Sequence, residues 1–157
     1  MASSPPKTVP EAYPARTKSA TVTIDNIETV LTSISLADKL LLTISQAGRL
    51  AHWIHVPLDA SLPEAPRIPS LDAEEGEDDT PQSDLLPMSH LTATTILGGR
   101  DPERETSGHL LASQIASSLV SRDPEDQRTF VLGLGLSQAT LSREAFVDIV
   151  SAAIAVL

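Results

Sequence analysis

Four histidines, His52, His55, His90 and His109, are the side chains with the widest chemical range near neutral pH in this chain. A zinc site or a proton-transfer pair needs two of them on one side of an element, or one beside a carboxylate. The spacing argues against both. His52 and His55 stand three apart in a β-rich run, so they point to opposite faces of a strand. His90 and His109 have no carboxylate at a recognisable metal or triad spacing. Serines are abundant, but none sits in a nucleophile-elbow context. There are no cysteines, so there is no disulfide framework and no thiolate ligand.

Two glycine pairs could in principle cradle phosphate. Gly133-Leu134-Gly135 lacks the third glycine and the following helix start of a dinucleotide loop. It reads instead as room for a helix to pack against a strand. Gly98-Gly99-Arg100 precedes a helix and could meet an anion through backbone N–H groups. Without a Lys-Ser/Thr pair it reads as a plain turn. The expectation is a protein with no catalytic residue, no cofactor and no metal, hence no enzyme.

The elements that carry these residues are legible from periodicity. Ala20–Ile24 alternates and is β-branched, and Asp25-Asn26 is a turn signal. Glu28–Leu36 predicts a second strand, with Val30, Thr32, Ile34 and Leu36 on one face and Leu31, Ser33 and Ser35 on the other. Lys39–Ser45 and Arg49–Val56 predict the third and fourth, separated by Gln46-Ala47-Gly48. Short strands joined by tight turns predict an antiparallel meander. Met88–Leu97 predicts a fifth strand and Thr129–Leu136 a sixth.

Two helices complete the set. The first spans about 101–121, with Asp101 as cap, Pro102 in the first turn and an apolar row of Leu111, Ile115 and Leu119. Ser107 is a later alternative cap, since Gly108 lies inside the pattern. The second spans about 140–155, with a wide apolar stripe through Phe146, Ile149, Val150 and Ala153. The predicted class is α+β, an antiparallel sheet of about six strands with two helices on one face.

Strands two to six carry apolar residues at both parities, such as Leu40, Leu41 and Leu42, or Trp53 beside Ile54. A sheet wet on one side alternates more cleanly than this. Two helices cover one face, so the other is expected to meet a protein. Leu42, Trp53, Leu132 and Leu134 are the candidate partner-binding residues.

Charge is unevenly placed. The net charge is −10, yet residues 57–87 hold nine acids against the single base Arg67, a local charge of −8 that leaves −2 for the rest. Such a run solvates itself and reads as a disordered insertion, as do residues 1–16 as a tail. The single domain is then 17–157. No basic patch with interleaved aromatics favours nucleic acid. The N-terminus lacks the apolar core of a signal peptide, and the longest apolar stretch, Ile149–Leu157, is too short for a bilayer. A cytoplasmic location, with the nucleus also open, is the expectation.

Several stretches in this order of elements are similar to a known family. They are Lys39–Gly48, Arg49–Ile54, Thr94–Gly98, the apolar helix from His109, and Phe130–Leu136. Through them, over 17–56 and 88–157, the chain resembles the proteasome assembly chaperone 3 family in its fungal form. The resemblance implies a small non-enzymatic α+β protein that dimerises with its paralogue, proteasome assembly chaperone 4. The dimer would assist formation of the α-subunit ring of the 20S proteasome and leave before maturation. A homodimer is open when the chain is alone. The alternatives are the paralogue itself, or another sheet-and-helix scaffold of a trafficking or signalling complex. A small hydrolase would need a constellation that the sequence does not offer.

A long insertion adds little closure entropy to a loop. Replacing Asp72–Asp84 with a short Gly-Ser link is therefore expected to leave the thermal midpoint nearly unchanged. A drop of several degrees would show that the segment packs on the domain.

Overall fold

The structure, a computed structural model, describes residues 15–59, 88 and 90–157. The 1–14 part of the tail and the acidic stretch 60–87 lie outside the described residues. Six strands and two helices follow in the order β1 (Arg16–Ile24), β2 (Ile27–Ser35), β3 (Lys39–Gln46), β4 (His52–Pro57), β5 (Thr94–Leu97), α1 (Pro102–Arg122), β6 (Thr129–Gly135) and α2 (Arg143–Val156). The class is α+β, with both helices on one face of the sheet.

The β1–β2 hairpin turns on Asp25 and Asn26, both at positive φ (49° and 63°) between the paired Ile24 and Ile27. Two left-handed residues match the twist of the strands they join, and Asp and Asn tolerate that region. β2 and β3 pair antiparallel, with Leu31 opposite Ile44 and Ile34 opposite Leu41.

The meander then breaks. β4 does not pair with β3. The sheet order is β1-β2-β3-β6-β4-β5, with β6 parallel to β3 and antiparallel to β4. The expectation of an antiparallel sheet holds for every pair but β3–β6. The β3–β4 connection reads locally as a hairpin, because Ala47 and Gly48 turn at positive φ and the Arg49 N–H reaches the Gln46 carbonyl at 3.2 Å. It then spreads by the width of one strand. Correspondingly β4 begins at His52 rather than Arg49, and β5 at Thr94 rather than Met88.

Gly135 permits that spread. A Cβ there would lie 1.6 Å from the Arg49 carbonyl oxygen, so the connection crosses the end of β6 in contact with its backbone. The Ala51 N–H donates to the Leu134 carbonyl at 2.9 Å. Buried Gln46 ties the crossing together, accepting from the Ser137 N–H at 2.7 Å and donating to the Thr29 hydroxyl at 3.0 Å.

The helices follow their caps. The Asp101 carboxylate accepts from the Glu103 N–H at 3.1 Å, Pro102 stands at the first position, and the helix stops at Asp123 ahead of Pro124. Ser142 caps α2 by accepting from the Ala145 N–H at 3.1 Å. α1 packs on β4, β5 and β6, α2 packs on β1 and β2, and the two helices touch. Near the far end of α2, the Ser33 hydroxyl donates to the Val156 carbonyl at 2.6 Å, so a buried polar group satisfies a free helix-end acceptor.

The core lies between sheet and helices. β3 gives it Leu40, Leu42 and Ile44, β6 gives Phe130, Leu132 and Leu134, and β4 gives Ile54 and Val56. Leu111, Ala112, Ile115 and Ala116 come down from α1, Ile149 and Ala153 from α2. Leu58, just past β4, is also buried. Each large aliphatic side chain moved from water contributes about 2 kcal/mol. Arg128 clamps the entry to β6: its guanidinium forks onto Asp126 at 2.7–3.1 Å and donates to the Ser35 hydroxyl at 2.9 Å. The Arg128 hydrogen bond holds the Asp126 carboxyl below its ordinary range.

Leu42 and Leu132 are paired neighbours in the central strands and wholly inaccessible. Leu132→Ala is expected to destabilise by about 3 kcal/mol, and Leu132→Glu to prevent folding because no partner reaches the buried charge. Denaturation followed by circular dichroism checks both; a folded Leu132→Glu variant would contradict this placement.

Candidate functional site

Two places on the described chain hold more than packing. The first is a polar junction under α1. His52 projects from β4 to the helix side, is 5% exposed, and its Nε2 lies 3.1 Å from the Thr95 hydroxyl of β5. The Nε2 of His109, from α1, lies 2.9 Å from the same hydroxyl, and the Glu105 carboxylate 3.4 Å from it. A carboxylate only accepts, so the single hydroxyl proton goes to Glu105 and both imidazoles donate through Nε2–H. Burial is the first cause that lowers the His52 pKa below its ordinary value, with His109 next; Glu105 acts in the opposite direction.

His52 and His55 do point to opposite faces, His55 to the other side of the sheet. His90 joins neither group. Among the described residues no cluster of three or more His, Cys, Asp or Glu side chains has metal-holding geometry. Glu105 and His109 stand four apart on one helix, a spacing visible in the sequence. Their meeting with His52 and Thr95 was not, because it depends on the β4–β5 pairing and on α1 crossing it.

Beside the junction is a small cavity of about 60 Å³, lined by His52, Arg104, Ser107, Gly108, Leu136 and Gln138 among others. It is water-sized rather than substrate-sized. The Arg104 guanidinium is engaged, donating to the Leu136 and Ser137 carbonyls at 2.8 and 3.1 Å.

The second place is the sheet face away from the helices. Registration lines up Ile34, Leu41, Val131 and His55 across β2, β3, β6 and β4. The adjacent row is Thr32, Thr43, Gly133, Trp53 and Leu97. β1 adds only Thr and Ser at this parity. Within the six strands, the charged residues of this face are Glu28 and Lys39, both near strand ends. Leu97 is 64% exposed at its edge, whereas Ile34, Leu41, Val131 and Trp53 are half-buried by one another. Nothing in the described chain covers them. A continuous apolar and threonine surface without interior charge is the composition of an interface core.

The four residues singled out for partner contact divide between the faces. Leu42, Leu132 and Leu134 lie beneath the helices in the core. Trp53 alone of the four faces outward. Leu41 and Val131, one residue along from Leu42 and Leu132, occupy the outward positions.

The glycines of β6 do not make room for a helix, as their spacing suggested, because the helices lie on the opposite side. Gly133 makes room for Trp53: a Cβ there would come within 2.8–3.0 Å of the indole ring, which therefore lies over the glycine. Gly98 and Gly99 both stand at positive φ in the connection from β5 to α1.

No family model matches the chain, and no curated protein matches it in sequence. Among solved structures, it is similar to a chain in the crystal structure of a novel chaperone complex for yeast 20S proteasome assembly. The TM-score is 0.55 at 14% identity, over 90% of this chain and 98% of the other. The two chains share a fold over nearly their whole lengths. No described helix is long and apolar enough to cross a membrane.

The lone tryptophan reports on the outward face. Gly133→Ala is expected to push the Trp53 indole off the sheet, changing its emission while far-UV circular dichroism stays the same. An unchanged emission spectrum would mean that the indole does not lie over Gly133.

Proposed function

We propose that this chain is a non-enzymatic chaperone of 20S proteasome assembly, which works by presenting protein-binding surfaces. The observation that carries the reading is the match over 90% of the chain to a proteasome-assembly chaperone fold. The resemblance of Lys39–Ile54, Thr94–Gly98 and Phe130–Leu136 to the proteasome assembly chaperone 3 family points the same way. The partners in this reading are a paralogue of the proteasome assembly chaperone 4 type and the α-type subunits of the ring. The cytoplasm, and the nucleus with it, is where such assembly would place the chain.

The outward sheet face supports the pairing half of this reading. It is apolar where the helix-free side of a solitary domain would alternate with charge. Burying it against a partner sheet would remove its apolar side chains from water. Packing of sheets face to face needs no strand edges and no charged groups, and this face has the composition for it. Alone, the chain would pair with itself by the same surface.

Leu41 and Val131 separate folding from pairing, because they face outward from the same strands whose neighbouring residues build the core. Leu41→Glu is expected to keep the circular dichroism of the wild type and to lose the paralogue and α-type subunits on affinity purification from cells. Sedimentation of the purified wild type should show a dimer, and of Leu41→Glu a monomer. A wild-type chain that stays monomeric at tens of micromolar and captures neither paralogue nor α-type subunits would overturn the proposal.

A further inference from the structure

The chaperone reading leaves the part-buried junction of His52, Thr95, Glu105 and His109 without a role. Its position gives it one. β5 is a four-residue strand at the edge of the sheet, paired only with β4, and the pairing is irregular between Trp53 and Ile54. Two of its residues, Ile96 and Leu97, are 56% and 64% exposed, so little apolar burial fastens it. What fastens it is Thr95. Its hydroxyl takes an N–H from His52 on β4 and an N–H from His109 on α1, and gives its proton to Glu105 one turn earlier on α1. One side chain of the edge strand thus joins sheet and helix.

We propose that this junction is a proton-sensitive latch that holds β5 on the sheet and releases it when His52 takes up a proton. The inference stands independently of the chaperone reading, since it needs no partner. The geometry sets its direction. In the closed state the His52 ring is enclosed. A Cβ on Gly108 would lie 2.8 Å from its Cε1 and 2.9 Å from its Nδ1, so α1 lies directly against it.

The groups that face His52 come mainly from α1. They are the Glu105 carboxylate, the His109 ring at 6.3 Å between centroids, and Arg104 across the small cavity. β5 contributes only the Thr95 hydroxyl, and β6 contributes Leu134 in register. A proton on Nδ1 would place a charge in an enclosed space beside the His109 ring, with Glu105 alone acting in the opposite direction. When β5 peels away, Nε2 loses the Thr95 hydroxyl and reaches water, so the ring regains hydration and the imidazole returns toward its ordinary value of 6.5.

The sign follows from linkage. The closed form resists protonation and the open form accepts it, so closure is fully favoured above about pH 6.5 and weakens as pH falls below it. If the closed ring stays neutral and the open ring titrates at its ordinary value, opening grows by up to about tenfold at pH 5.5 relative to neutral pH. Release would remove Leu97 from beside Trp53 and so alter one corner of the outward face.

Hydrogen exchange on the full chain at pH 7.5 and 5.5, corrected for the intrinsic rate, reads the opening directly. The β5 amides are expected to open more readily than those of Leu42 and Leu132 at both pH values. Their opening constant should rise about five- to tenfold at the lower pH. His52→Gln keeps an N–H donor but does not titrate, and should flatten that dependence, whereas His55→Gln on the other face should keep it. Thr95→Val, which leaves His52 titratable, should raise β5 opening already at pH 7.5. Three results would overturn the proposal: β5 opening that is the same at both pH values, a pH dependence that survives in His52→Gln, or β5 amides that open only together with the core. Wild-type protection of β5 at pH 7.5 in Thr95→Val would also overturn it, and that arm needs no His52 variant to fold.

Discussion

The structure depends on a single close approach, that of the β3–β4 connection to the end of β6 at Gly135. Strand β6 is the last strand to be made and, with β3, one of the two central ones. It slides in parallel to β3 and antiparallel to β4, and the core then assembles across it, with Leu42, Leu132 and Ile54 in one row. Nothing could occupy that slot if residues 47–51 formed an ordinary tight hairpin, because β3 and β4 would pair with each other. A side chain at 135 would strike the Arg49 carbonyl and push the connection away. Buried Gln46, bridging β2 to the segment after β6, fixes the crossing from the other side. Because β6 pairs with strands far away in sequence, its closure is the kind of step that slows folding.

The sequence made the local devices readable and hid the non-local one. Asp25-Asn26, Asp101-Pro102 and the Asp123-Pro124 stop each act within a few residues, so composition alone reveals them. The alternation of Val30, Thr32 and Ile34 against Leu31 and Ser33 gave the faces of β2 correctly for the same reason. The position of β6 between β3 and β4 has no local signature. Both a meander and the observed order present the same strands and the same turn at Ala47-Gly48. The glycines of β6 were misread for a related reason: spacing shows that two small residues share a face, but not whether a helix, an indole or a backbone carbonyl fills the space above them.

The candidate sites show the same division. That an apolar surface would be left over was legible from the double parity of Leu40, Leu41 and Leu42. Which parity faces outward was not, since it depends on where the helices land. On the side of Leu42, Leu132 and Leu134 the helices approach closely through the buried Ala112, Ala116 and Ala153. Thr29, Ser33, Gln46 and His52 are the buried polar groups of the sheet on that side, and each has a partner in the fold. The helix-covered face is therefore self-sufficient. The outward face, with Leu41, Val131 and Trp53, is covered by nothing in the described chain.

That asymmetry constrains how such a protein can bind. A surface built from flat strands, threonines and a few aliphatic side chains offers area and shape but few directional contacts. Pairing through it would draw its strength from desolvation, and its specificity from fit, with Trp53 over Gly133 as the largest raised feature. Among the described residues, the charged groups of the strands stand at strand ends, and most others on the exposed parts of the helices and turns. The sheet face can hold a lasting partner without charge, while contacts that form and dissolve with their surroundings belong to the charged periphery, where screening by salt keeps them weak.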